Sequence, residues 1–89
     1  MKAKGTRLEH KTIQRLKADG WQCWRSSNSL GPCDVIAMNE ERVRLIEVRS
    51  NQWRLGRSQD LLRLRCPENV SKEIWRWDDG AREPKVKML

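Results

Sequence analysis

The 89-residue chain contains no Phe and no Tyr, so five Trp carry its whole aromatic payload. It has one His, His10, and three widely spaced Cys (Cys23, Cys33, Cys66) with no Cys-x-x-Cys pair. Structural zinc ligands come in closely spaced pairs, so such a site is not expected. An odd cysteine count also argues against a disulfide framework and for a reducing cytoplasm, with the thiols packed as small hydrophobes. No apolar run exceeds a few residues, which argues against a membrane-spanning helix. The basic start MKAKGTR leads into no apolar stretch, so no secretory leader is expected. The length allows one small domain, with no room for a second substrate domain or a small-molecule cofactor domain.

What the chain does have is positive charge. Lys and Arg number 19 against 12 acids, a net charge of +7. The excess collects in residues 1–25, with seven bases and two acids, and in residues 42–65, with seven Arg and two acids. That distribution points to a polyanion, nucleic acid before anionic membrane; a solvated basic surface is the plain alternative.

The pattern predicts a helix over 6–19, where Leu8, Ile13 and Leu16 recur at near-helical spacing and Gly20 supplies a stop. Glu9 shares that stripe and points inward. Strands are predicted at 21–26, 33–38, 43–50 and 71–77, and a short helix at 58–64. Residues 81–89 form a tail or a terminal strand. The whole reads as one mixed α+β (α/β) domain, with an N-terminal helix packed on a small mixed sheet of about four to five strands.

The hairpin 33–50 is the most informative stretch. Its loop, Asn-Glu-Glu-Arg at 39–42, lacks Gly and suits a four-residue connection built on a type I turn. Paired residue numbers then sum to 81, so Met38 faces Val43, Ile36 faces Leu45 and Asp34 faces Glu47. Alternation puts these side chains, and Arg49, on one face. Opposed carboxylates about 5 Å apart repel unless a cation or proton intervenes. A hard divalent ion suits such a pair; a Glu47–Arg49 salt bridge with Asp34 capping a turn is the plainer alternative. Val35, Ala37, Ile46 and Val48 make an equally apolar opposite face. One face should be covered by the helix, carrying Glu9 towards the acids, and the other by a further element or subunit. Trp21, Trp24, Trp75 and Trp77 read as core or interface, and Arg42, Arg44, Arg63 and Arg65 as solvated surface.

Gly31-Pro32-x-Asp34-Val35-Ile36-Ala37, twelve intervening residues after Asp34, then Ile46-Glu47-Val48-Arg49-Ser50 resembles the core of the PD-(D/E)XK nuclease superfamily. With Lys4-Gly5, Glu9, Trp24-Arg25-Ser26 and the Ser-rich loop, the chain resembles archaeal-type and phage Holliday junction resolvases. The resemblance covers residues 4–50 well and the remainder loosely. It implies a restriction-endonuclease-like core and a Mg²⁺- or Mn²⁺-dependent, structure-selective endonuclease acting in DNA recombination or repair. It also implies that Asp34, Glu47, the Val48 carbonyl and Glu9 hold the metal or its water. Gln59 matches, more loosely, a Gln that some relatives place near the site. Arg49 stands where the family usually has Lys. It stays charged and cannot act as a base, but it can fix a phosphate. That departure keeps open a non-catalytic basic DNA-binding protein on the same fold.

The groups expected to contact DNA are Lys2, Lys4, Arg7, Arg25, Ser26, Ser29, Arg54 and Arg57. Trp53, in an Arg-rich loop, is a candidate for base stacking or for packing. A four-way junction cut symmetrically needs two sites related by a two-fold axis, so the resemblance implies a homodimer. The expected setting is the cytoplasm, of the host if the chain is phage-encoded.

Overall fold

The structure, a computed structural model, describes residues 2–26 and 32–89, the side chains of residues 2–5 excepted. The element order is α1 (Lys2–Ala18), β1 (Gln22–Arg25), β2 (Val35–Met38), β3 (Val43–Ser50), a 3₁₀ turn (Leu55–Ser58), α2 (Gln59–Arg63), β4 (Val70–Trp77) and β5 (Lys85–Met88). The tail at 81–89 thus contributes a fifth strand. Among the described residues no helix is long and apolar enough to cross a membrane.

Helix α1 buries Leu8, Thr12 and Leu16, spaced four apart on one face. Thr12 is tolerated there because its hydroxyl donates to the Leu8 carbonyl at 2.8 Å and accepts from Trp77 Nε1 at 2.8 Å. The helix ends as the sequence predicts. Gly20 adopts φ 92°, Gly20 N–H donates to the Lys17 carbonyl and Trp21 N–H to the Leu16 carbonyl, a Schellman closure.

The five strands lie in sequence order in one sheet. Strands β1, β2 and β3 are antiparallel, β3 and β4 parallel, and β4 and β5 antiparallel. The β2–β3 register is the one read from the sequence: Met38 pairs with Val43 and Ile36 with Leu45. The loop does without Gly because the Asn39 side chain accepts from the backbone N–H groups of Glu41 and Arg42 at 2.9 and 2.8 Å.

Two layers cover the sheet. Leu8 and Leu16 cluster with Val35, Ala37, Ile46, Trp75 and Trp77. Helix α1 therefore packs on the face opposite Glu47, yet Glu9 at its margin still lines one cleft with Asp34 and Glu47. The Val35/Ala37/Ile46 face is the wider apolar one, since Trp75 and Trp77 of β4 extend it. The connection between β3 and β4 lies over the other face: Lys72 Nζ donates to the Leu62 and Leu64 carbonyls, and Arg49 reaches Ser58. Leu61 and Ile74 are buried.

Trp24, expected in the core or an interface, is 45% exposed in the single chain, because its register opposite Ile36 turns it to the face α1 leaves free. One expectation is corrected. Arg44 is not a solvated surface residue. It makes two hydrogen bonds to the buried Glu73 carboxylate, at 2.8 and 2.7 Å, and lies over the rings of Trp21 and Trp75. Ser71 and Trp75 Nε1 also donate to Glu73, so every oxygen of this buried acid is engaged.

Candidate active site

Three consecutive residues of β3 and the residue preceding β2 meet at one end of the sheet. The antiparallel register ends at Val35–Ile46, and one residue before β2 Asp34 N–H donates to the Ile46 carbonyl at 2.8 Å. The Asp34 side chain then takes over the ladder's next step: its Oδ2 accepts from the Val48 N–H at 2.8 Å. This ties the carboxylate to the backbone of β3 beside Glu47, which is itself 8% exposed.

Arg49 fills the space between the acids. Its Nη2 donates to Glu47 Oε2 at 2.8 Å and lies 3.4 Å from Ser58 Oγ. Its Nη1 donates to the Val48 carbonyl at 3.1 Å and stands 3.9 Å from Asp34 Oδ2. Glu47 Oε1 and Arg49 Nε are buried and find no hydrogen-bond partner among the described residues. Burial pushes the Asp34 carboxyl above its ordinary value; the Val48 N–H opposes that, Glu9 adds to it, Arg49 opposes it and Glu47 adds to it. Burial pushes the neighbouring Cys33 thiol up to about 11, so it stays protonated and inert.

The site opens into a cleft of about 760 Å³, whose lining includes Glu9, Asp34, Glu47 and Arg49. Glu9 reaches it from the margin of α1 and is held by Arg25 Nε at 2.9 Å. Among the described residues no three Asp, Glu, His or Cys side chains converge on one ion. The donor set for a cation is therefore two carboxylates and the Val48 carbonyl, with Glu9 facing the same cleft. The chemistry of that set fits a hard divalent ion: all donors are oxygen, and Glu47 Oε1 is a buried acceptor awaiting a partner.

Arg54 and Arg57 line the cleft and are exposed. Arg54 takes φ 47°, a left-handed conformation that a bulky side chain rarely adopts. Arg25 is tied to Glu9, and Ser26 is half-buried with its N–H on the Asp34 carbonyl. Arg7 is exposed on α1. The side chains of Lys2 and Lys4, and the whole of Ser29, lie outside the described residues. Gln59 is exposed and is not part of the cleft lining; its neighbour Ser58, 1% exposed, turns towards Arg49 instead. Ser58 was missed because nothing in the local pattern distinguishes it from Gln59. Trp53 is half-buried between Arg76 and Lys87, 5.2 and 5.4 Å from its ring centre, which accounts for it by packing.

No protein-family model matches the chain, and no curated protein does so. A solved structure does. That of Archaeoglobus fulgidus Hjc, a Holliday junction resolvase from an archaeal hyperthermophile, superposes with a TM-score of 0.67 at 18% identity. The match covers 93% of this chain and 72% of that one. The chain, with helix α1 packed on a five-stranded mixed sheet, therefore has the fold of that resolvase.

Proposed function

We propose that this chain is a metal-dependent, structure-selective DNA endonuclease of the Holliday junction resolvase kind. One observation carries the reading. In a fold shared with a resolvase, Asp34, just before β2, and Glu47 of β3 line one cleft, and one buried Glu47 oxygen has no partner. Arg49 already offsets the charge of these acids but leaves that oxygen unsatisfied, and a divalent ion would use it.

Asp34 Oδ1, Glu47 and the Val48 carbonyl would hold the ion, Mg²⁺ or Mn²⁺. When bound, it supplies an acidified water and neutralises charge on a phosphate. The remaining work falls to the chain's own residues. The Val48 N–H keeps Asp34 oriented without consuming its second oxygen. Arg49 cannot take a proton from water, because a guanidinium stays charged, so its part is to bind and orient the scissile phosphate. Glu9, which lines the cleft, holds Arg25 beside it, where the guanidinium would meet a backbone phosphate. Arg54 and Arg57 in the same cleft would hold backbone phosphates without reading sequence.

Two copies would bring two such centres to a four-way junction. The exposed Trp24, beside half-buried Ile36 on the sheet face that α1 leaves free, is the surface on which they would meet.

A non-catalytic DNA-binding protein is the second reading, favoured by the one observation that Arg49 replaces Lys and pairs with Glu47. Incubation with labelled four-way junction and linear duplex separates them. The endonuclease cuts the junction with Mg²⁺ or Mn²⁺ and not with EDTA, and Asp34→Ala abolishes cutting while junction binding persists. Binding without any metal-dependent cutting by the wild-type protein would leave only the second reading.

A further inference from the structure

All three groups offered to a divalent ion are engaged by a single side chain. The Arg49 guanidinium bonds Glu47 Oε2 and the Val48 carbonyl and lies 3.9 Å from Asp34 Oδ2. It satisfies them poorly. Its Nε is buried without a partner, and so is Glu47 Oε1. A guanidinium presents five N–H donors in a rigid plane, whereas the site offers oxygens arranged around a point. The planar group neutralises the carboxylates and leaves one donor and one acceptor stranded. A spherical ion with flexible coordination number would use Glu47 Oε1 as well.

From this we infer that Arg49 is an internal cation occupying the divalent-ion position, and that ion entry displaces it towards the phosphate of bound DNA. The inference rests on the metal-dependent reading above and adds regulation of the same site. A guanidinium and a divalent ion a few ångströms apart repel strongly in a half-buried pocket. Arg49 must therefore leave Glu47 when the ion enters, and it needs a new anion. The phosphate backbone supplies one through charge-assisted hydrogen bonds. Ion and DNA then favour the same swung-out arginine, so each raises the affinity for the other. In the free protein the ion competes with a covalently attached rival. That rival's effective concentration is high, and its hydrogen bonds to charged groups weaken apparent ion affinity by roughly ten- to a hundredfold. A lysine in the same place would be a compact, easily deprotonated competitor; an arginine is always present as a cation. The replacement of Lys by Arg thus makes metal loading contingent on substrate.

The test is Mn²⁺ binding to the DNA-free protein, read by electron paramagnetic resonance as loss of the free-ion signal, in wild type and Arg49→Gln. Arg49→Gln should bind Mn²⁺ about ten- to a hundredfold more tightly. Equal or weaker affinity in the variant overturns the exchange while leaving the metal site standing. Absence of Mn²⁺ binding in both proteins overturns the exchange and the metal-dependent reading together. A measurement on the wild-type protein covers the case in which Arg49→Gln does not fold. The Arg49 side-chain ¹⁵Nε resonance, identified by its loss in Arg49→Lys, should shift on saturation with Mg²⁺. An unmoved resonance at saturating ion overturns the exchange.

Discussion

Replacing Arg44 with Met tests what holds β3 in place beneath the site. Arg44 is one of three donors to Glu73, whose side chain is 2% exposed, and makes both of its shortest charged contacts. The Met variant keeps much of the aliphatic bulk against Trp21 and Trp75 but leaves Glu73 with Ser71 and Trp75 alone. Removing one partner of a buried ion pair costs about 3 kcal/mol at the lower end of the measured range, the appropriate end because Arg44 retains some water contact. In a domain of this size that lowers Tm by about 12–24 °C. The pH dependence makes the assignment specific. Burial alone pushes the Glu73 carboxyl up, and hydrogen bonds from Arg44, then Ser71 and Trp75, outweigh it and hold it below the ordinary 4.5. A lowered carboxylate contributes stability that is present above the unfolded-state value and disappears as pH falls through the folded-state value. The gap between wild type and Arg44→Met should therefore be wide at pH 7 and narrow below about pH 4.5. Urea unfolding at a series of pH values reads both numbers. A loss under about 1 kcal/mol, or a gap that does not change with pH, would refute the view that this pair anchors β3 to β4.

Other expectations concern the cleft directly. Asp34→Asn should abolish junction cutting yet leave Tm in EDTA equal to or above that of wild type, since burial makes the ionised Asp34 a liability; a marked fall in Tm would assign it a structural role instead. Junction affinity should fall steeply with salt, and Arg54→Ala or Arg57→Ala should each reduce the slope of log K against log salt by about one; an unchanged slope would remove that residue from the interface. Trp24→Glu should shift the protein from dimer to monomer in sedimentation without lowering its Tm at low concentration, whereas an unaltered dimer would move the interface elsewhere.

Local rules made the site legible and long-range ones did not. The β2–β3 register from Met38–Val43 to Val35–Ile46, which brings Asp34 and Glu47 to one end of the hairpin, followed from a four-residue loop and a period of two, and Asn39 explains why that loop needs no Gly. Gly20 ended α1 as its freedom at positive φ suggests. Which face α1 covers was not readable from the hairpin, because both its faces are apolar; the choice is made by Trp75 and Trp77, some thirty residues on, once β4 pairs with β3. The same parallel pairing brings Glu73 to Arg44, so a residue that looks like surface charge becomes half of a buried pair. Trp24 went outward because the pairing of β1 with β2 opposes it to Ile36. Arg49 was legible as a departure from the family, but only coordinates put its guanidinium among Asp34, Glu47 and the Val48 carbonyl.

A crystal soaked in Mn²⁺, with anomalous scattering measured at the manganese edge, locates the ion directly. The account predicts one strong peak within coordination distance of Asp34, Glu47 Oε1 and the Val48 carbonyl, with the Arg49 guanidinium turned away from Glu47. No peak there, with the Arg49–Glu47 pair intact at saturating ion, would contradict it.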